Sequence, residues 1–157
     1  MEIERRWLVE GWPALAPSSV LQMDQGYFAV RPAIRIRREA VLGGETRYVL
    51  CFKGGAGLAR EEVEVDEGRY LRLMAMLSGP MIEKEQRRYP LPGGLTLEVN
   101  QVDPALESGF YYAEVEFDAE AAALAWTPPE ALTAYLSHEV TGQPGESMAA
   151  YWARTRG

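Results

Sequence analysis

The chain has 157 residues, of which 47% are apolar, 25% charged and 10% aromatic, a composition that predicts one folded domain spanning residues 1–157 and excludes a disordered chain. Its formal charge of −7 disfavours a surface that binds nucleic acid or anionic lipid. A single cysteine and a single histidine argue against a disulfide framework, a cysteine-based zinc cluster and a histidine-rich metal site.

The sequence carries no sign of membrane targeting. Its first residues, MEIERR, lack the apolar stretch of a signal peptide, and no run approaches the roughly 20 apolar residues of a membrane-spanning helix. We therefore expect a cytoplasmic protein with no membrane partner and no nucleic-acid partner. A homodimer remains open.

Short alternating segments separated by Gly and Pro predict about eight β-strands. In chain order they cover Glu2–Val9, Gln25–Val30, Ala33–Glu39, Thr46–Lys53, Glu61–Asp66, Ile82–Pro90, Leu95–Gln101 and Tyr112–Asp118.

Two of three predicted helices are short and amphipathic. The first ends at Ser78-Gly79-Pro80 and has an apolar face formed by Tyr70, Leu73, Met74 and Leu77. The last begins near Ser147 and presents Met148, Tyr151 and Trp152.

A third helix is predicted between these strands and the last helix. Thr127 is its expected N-cap, Pro128 its first residue, Glu130 the second half of a capping box and Gly142 its terminator. We expect the lone His138 on the surface or at the end of this helix.

The predicted strands carry charged side chains at alternate positions, so the charges of each strand share one face. A solvated outer face of an antiparallel sheet explains such alternation, although that face usually contains more Ser, Thr and Gln. If the strands instead close into an eight-stranded barrel, the charged face points inward. Bases and carboxylates in one interior fit a metal triphosphate, because Arg and Lys bind phosphate oxygens and carboxylates bind Mg²⁺ or Mn²⁺.

Eight short segments, in this order, resemble the motifs of the CYTH superfamily, the triphosphate tunnel metalloenzymes. They are Glu2–Arg6, Gln25–Tyr27, Arg35–Arg37, Lys53–Gly54, Glu62–Glu64, Ile82–Tyr89, the two later acidic strands counted together (Glu98–Asn100 and Glu114–Glu116), and Glu139–Gly142. The resemblance implies an α+β fold, an eight-stranded antiparallel β-barrel with helices packed outside. It also implies a metal-dependent triphosphatase whose favoured substrate is inorganic tripolyphosphate.

The resemblance assigns roles to individual residues. The expected ligands of Mg²⁺ or Mn²⁺ are Glu2, Glu4, Glu114 and Glu116, followed by Glu64 and Glu98. The expected phosphate-binding residues are Arg35, Arg37, Lys53, Lys84 and Arg88. Arg6 and Tyr27 occupy the positions of a catalytic lysine and its tyrosine partner.

Two residues depart from the family pattern. Arg6 replaces the first-strand lysine, and an arginine cannot serve as a base at ordinary pH. Asn100 stands where relatives often have Asp.

In the strand of Lys84, the parity of the alternation favours Arg88 over Arg87 as the inward residue. Cys51 shares the parity of Lys53, and we expect it to be a small buried thiol.

Several alternatives to tripolyphosphate hydrolysis remain open within this resemblance. They are hydrolysis of thiamine triphosphate or a nucleoside triphosphate, adenylate cyclase activity, and a non-catalytic polyphosphate or nucleotide sensor. The two departures, Arg6 and Asn100, are the motive for the sensor.

Overall fold

We describe residues 3–54 and 60–157 in a computed structural model of the chain; the predicted metal ligand Glu2 lies outside them. Nine strands form one antiparallel sheet, in the order β5-β4-β3-β2-β6-β7-β8-β1-β9. They are β1 (Glu4–Val9), β2 (Ser19–Val30), β3 (Ala33–Val41), β4 (Thr46–Lys53), β5 (Arg60–Val65), β6 (Ile82–Pro90), β7 (Thr96–Val102), β8 (Phe110–Glu116) and β9 (His138–Glu139).

The sheet is open rather than closed. β5 and β9 form its two edges, and no pairing joins them in the part of the chain that the structure describes. The antiparallel sheet with helices outside it agrees with the predicted fold class, while the closed eight-stranded barrel is not confirmed.

The ninth strand replaces part of a predicted helix. Between residues 127 and 142 the structure has only one 3-10 turn, Glu130–Leu132, and then β9. The strand is held by the edge of β1, where the Val140 amide donates to the Arg6 carbonyl at 2.8 Å. The predicted long helix is therefore wrong, because pairing with a strand distant in sequence outweighs the local capping signals.

Three α-helices pack on the sheet: α1 (Glu67–Met74), α2 (Glu120–Ala125) and α3 (Met148–Arg156). The sequence predicted α1 and α3 but not α2. Ser147 caps α3, since its hydroxyl accepts a hydrogen bond from the Ala150 amide at 3.0 Å. None of the helices that the structure describes combines the length and apolarity needed to cross a bilayer.

The two faces of the sheet have different cores. One face buries a cluster that includes Trp7, Tyr89 and Leu97, together with Leu132 and Leu136 from the chain before β9. The opposite face, which carries the alternating charges, is covered at one end by α3. There Met148, Tyr151 and Trp152 pack against a set of sheet residues: Tyr27, Ile82, Val102 and Tyr112.

A buried carboxylate fixes α3 to the sheet. Oδ2 of Asp103 accepts hydrogen bonds from Arg156 Nη1 and the Tyr151 hydroxyl, both at 2.7 Å, and Oδ1 accepts one from the Glu83 amide at 3.0 Å. Burial acts to raise the pKa of Asp103, but the hydrogen bonds from Arg156 and Tyr151 hold it below its ordinary value. Asp103 therefore stabilises the fold as a carboxylate.

We predict that Asp103→Asn lowers the free energy of unfolding by about 2 kcal/mol at neutral pH, since hydrogen bonds to a charged group are lost. Because the folded pKa lies below the unfolded one, this stabilisation is complete above about pH 4 and disappears as the pH falls. Urea unfolding at several pH values tests this, with exposed Asp118→Asn as the matched control. An Asp103→Asn deficit that stays constant down to acid pH contradicts it.

Candidate functional site

The charged face of the sheet surrounds a cavity of about 830 Å³. Strand register brings its side chains together, because residues that pair directly across two strands share a face. Arg6 lies opposite Glu114, and Arg88 lies opposite Glu98. The predicted site residues that line the cavity are Glu4, Arg6, Tyr27, Arg35, Arg37, Lys53, Lys84, Arg88, Glu98, Glu114 and Glu116.

Among the predicted metal ligands that the structure describes, Glu64 does not line the cavity. Its side chain is 63% exposed at the sheet edge and lies 3.6 Å from Arg47. Glu62, two residues earlier on the same face, lines the cavity instead and contacts Arg60.

The order of the strands groups most of the bases apart from most of the carboxylates, although Glu39 of β3 and Arg6 of β1 line the cavity among groups of the opposite sign. Strands β4, β3 and β6 carry the predicted bases, and the adjoining run β7, β8 and β1 carries the carboxylates. We call the first group the basic wall, which consists of Arg35, Arg37, Lys53, Lys84 and Arg88. The second group is the acidic wall, which consists of Glu4, Glu98, Glu114 and Glu116.

The basic wall contains cations that are buried next to one another. Arg35 is 6% exposed and Lys84 3% exposed. Burial and then the neighbouring charge of Arg37 lower the pKa of both groups. Lys84 donates a hydrogen bond to the Tyr112 hydroxyl at 2.8 Å, whereas Nε of Arg35 has no hydrogen-bond partner in the described structure. Buried like charges of this kind are costly unless an anion compensates them.

Arg6 is bound to the acidic wall. Oε2 of Glu114 accepts from Arg6 Nε at 3.0 Å and from Nη2 at 2.8 Å, and Glu4 lies 3.8 Å from the same guanidinium. The Arg6 guanidinium also lies 4.6 Å from the centre of the Tyr112 ring and donates to the Glu146 carbonyl. Burial acts against the charge of Arg6, but Glu114 raises its pKa overall. Arg6 is therefore a permanent cation that orients Glu114.

The carboxylates of the acidic wall repel one another. Burial and then the charges of Glu114 and Glu116 raise the pKa of Glu98, although Arg88 lies 3.4 Å away. A hard divalent cation would relieve this repulsion, and oxygen donors are the ligands that such a cation prefers.

No group of three His, Cys, Asp or Glu side chains within residues 3–54 and 60–157 is arranged to hold a metal ion. Mg²⁺ is commonly bound by one or two carboxylates together with the phosphates of a substrate. The acidic wall fits that mode, in which the substrate completes the ligand set.

Tyr27 lies on the basic side of the cavity. Its hydroxyl accepts a hydrogen bond from the Gln25 amide at 3.3 Å, and Arg37 Nε donates to the carbonyl oxygen of that amide at 3.0 Å. The aromatic ring that the guanidinium of Arg6 approaches is that of Tyr112.

The structure also gives the positions of Asn100, which departs from the family pattern, and of the neighbouring residues Arg87 and Arg88. Asn100 is fully buried, and its side-chain oxygen accepts from Gln86 at 3.0 Å. Arg88 lines the cavity. Arg87 lies on the opposite face, 4.0 Å from the centre of the Trp12 ring.

Sequence reasoning missed other parts of the lining. Tyr112 and Arg47 line the cavity, and each shares the parity of a predicted site residue in its strand, so this signal was available. Residues 140–144 and 146–149 also line the cavity. The motif Glu139–Gly142 marked the start of this segment, but the pattern of the sequence did not indicate that the residues after it reach the cavity.

Solved structures resemble the chain over almost its full length, whereas no family sequence model and no curated protein matches it. The crystal structure of the hypothetical protein NE1496 has a TM-score of 0.66 and 27% identity, covering 96% of this chain and 97% of that one. The crystal structure of the inorganic triphosphatase NE1496 has a TM-score of 0.65 and 26% identity, covering 96% and 93%. The PH1819 protein from Pyrococcus horikoshii OT3 shares the fold, with a TM-score of 0.67 and 17% identity over 98% and 97%.

We predict that Arg35→Met raises the free energy of unfolding by about 1 kcal/mol in phosphate-free buffer, because a buried charge beside the like charge of Arg37 is replaced by an apolar group of similar length. Arg38→Met is the matched control on the outer face of β3, where Arg38 lies 3.5 Å from Asp24. Urea unfolding measures both. An Arg35→Met variant less stable than Arg38→Met would refute the view that Arg35 awaits an anion.

Proposed function

Because the chain belongs to the CYTH superfamily, we propose that it binds a triphosphate in the cavity and hydrolyses it with the help of a divalent cation. The observation that carries this proposal is the division of one cavity into a basic wall and an acidic wall. Inorganic tripolyphosphate is the proposed substrate, supported by the likeness to the inorganic triphosphatase NE1496.

The basic wall supplies the charge that phosphoryl transfer needs. Arg35 and Arg37 on β3 and Lys84 on β6 line the cavity from the two strands that flank β2. Hydrogen bonds to Gln25 and Glu39 orient Arg37, and one to Tyr112 orients Lys84, before the substrate arrives. Their charges meet the phosphate oxygens, where negative charge is spread in the transition state. Preorganised cations in a partly dry site lower the barrier more than the same cations in water.

The acidic wall is the proposed site of Mg²⁺ or Mn²⁺. One or two of Glu98, Glu114 and Glu116 would hold the ion together with the phosphates of the substrate, and the chemistry that it supplies is neutralisation of phosphate oxygens and activation of water. Arg6 keeps Glu114 ionised and oriented through its two hydrogen bonds. As a permanent cation, Arg6 stabilises negative charge and does not accept a proton.

A non-catalytic sensor is the second candidate, and the position of Arg6 favours it. The guanidinium occupies Oε2 of Glu114, which reduces what this carboxylate can offer a metal ion. A sensor would bind a triphosphate through the basic wall without turning it over.

A panel of phosphate-release assays distinguishes the candidates. Tripolyphosphate, pyrophosphate, ATP and thiamine triphosphate are each incubated with Mg²⁺ and with Mn²⁺. We expect the highest kcat/KM for tripolyphosphate and no release without metal. Binding of tripolyphosphate without hydrolysis of any of the four compounds would refute the hydrolase and support the sensor. Phosphate release from ATP or thiamine triphosphate alone would show that the substrate is not tripolyphosphate.

Arg88→Ala is predicted to raise KM for tripolyphosphate roughly tenfold, because a hydrogen bond to a charged group is lost. Arg87→Ala is the matched control, since Arg87 is the next residue of β6 and lies on the other face. Steady-state kinetics measure both. Equal KM values for the two variants would show that the parity of β6 does not select the phosphate ligand.

Glu116→Gln is predicted to raise the metal concentration required for half-maximal hydrolysis by roughly tenfold or more, the loss typical even of groups that only support a metal ligand. Glu61→Gln, at an exposed position of β5, controls for the loss of one surface charge. Metal titrations at saturating tripolyphosphate provide the measurement. An unchanged metal requirement in Glu116→Gln removes this residue from the proposed metal site.

A further inference from the structure

α3 begins at the cavity and ends away from it. Its N-cap Ser147 and its first two residues, Met148 and Ala149, line the cavity, whereas residues 150–156 do not. At the far end, Arg156 is fixed by the buried carboxylate of Asp103. The N-terminal end of the helix therefore faces the space between the walls.

The first turn of a helix presents backbone N–H groups that have no partner within the helix. In α3 the Ala150 amide donates to the Ser147 hydroxyl at 3.0 Å, and the Tyr151 amide donates to the Ser147 carbonyl at 3.0 Å. The amides of Met148 and Ala149 occupy the other two positions of this turn. The turn contains no acidic residue, so the positive end of the helix dipole is not neutralised within it.

A second, independent group in the same cavity has a buried polar atom without a hydrogen-bond partner. Arg35 is 6% exposed, and its Nε has no hydrogen-bond partner in the described structure. Ala33 lies two residues earlier on the same face of β3 and packs against the cluster that contains Met148 and Trp152. Arg35 and the first turn of α3 thus belong to the same end of the cavity.

The segment that leads into α3 is tied to the acidic wall. Glu146 lines the cavity directly before the N-cap, and its carbonyl accepts a hydrogen bond from Arg6. Arg6 in turn holds Glu114. The first turn of α3 is therefore fixed relative to the acidic wall.

We infer that the first turn of α3 is a phosphate-binding subsite, in which the amides of Met148 and Ala149 donate to the oxygens of a terminal phosphate group that Arg35 also contacts. This inference rests on the proposed function, because the phosphate group is one end of the bound triphosphate. The donors belong to the backbone, so no pattern of side chains marks the subsite. A cleaved orthophosphate has the same chemistry, and the choice of probe separates the two.

The direct test is an amide ¹H–¹⁵N titration of the unmodified chain with tripolyphosphate in the absence of metal, repeated with orthophosphate. Saturating tripolyphosphate should shift the amide protons of Met148 and Ala149 downfield, as expected for hydrogen bonds to phosphate oxygens. The amides of Gly68 and Arg69, in the first turn of α1, serve as the reference for an unspecific effect. The same shifts with orthophosphate alone would identify a site for single phosphate groups.

A pair of variants tests the same donor by affinity. Ala149→Pro removes the amide hydrogen at a position in the first helical turn, where Pro is tolerated, and Ala149→Val adds similar bulk but keeps it. We expect tripolyphosphate to bind to Ala149→Pro roughly tenfold more weakly than to Ala149→Val, since one hydrogen bond to a charged group is lost. Thermal melts show whether both variants are folded. If Ala149→Pro is not folded, the amide titration of the unmodified chain alone decides whether the subsite exists.

The outcomes separate this inference from the proposed function. Tripolyphosphate binding to the unmodified chain, with the Met148 and Ala149 amides unmoved or with equal affinities for the two variants, overturns the subsite and leaves the proposed function intact. Failure of the unmodified chain to bind tripolyphosphate at all overturns both.

Discussion

The cost of burying charge of one sign is the constraint on which the rest of this structure depends. Arg35, Arg37 and Lys84 face one cavity, and burial together with like charge lowers the pKa of Arg35 and of Lys84. Proteins retain uncompensated buried cations where a ligand supplies the missing charge. The fold tolerates this strain because an extensive antiparallel sheet and two apolar cores stabilise it independently.

The sheet places opposite charge beside these cations and pairs only part of it with them, since Glu39 of β3 accepts a hydrogen bond from Arg37 at 3.2 Å. Arg6 binds Glu114 within the acidic wall, and Arg88 approaches Glu98 where the walls meet. Because the basic wall and the acidic wall lie on different sides of the cavity, one side can bind phosphate oxygens. The other side can bind a cation that those oxygens would help to hold. The net charge of −7 is consistent with this arrangement, because the bases converge inside the cavity.

Strand periodicity made much of this predictable, since the face of a side chain depends only on its parity within one strand. The inward positions of Arg35, Lys84, Arg88 and Glu114 follow from that rule. Properties that depend on contacts between residues distant in sequence could not be predicted from parity. The pairing of β9 with β1 replaced a well-capped predicted helix, the sheet stayed open, and Glu64 lies at an exposed edge although its parity is right. The contribution of α3 was hidden because it is made by backbone groups.

The most direct test of the charge-separated cavity is a crystal structure of the chain with a non-hydrolysable tripolyphosphate analogue and Mn²⁺, whose anomalous signal locates the ion. We predict phosphate oxygens in contact with Arg35, Arg37 and Lys84, and Mn²⁺ between those oxygens and the carboxylates of the acidic wall. An anion bound outside the cavity, or Mn²⁺ bound away from Glu98, Glu114 and Glu116, would contradict it.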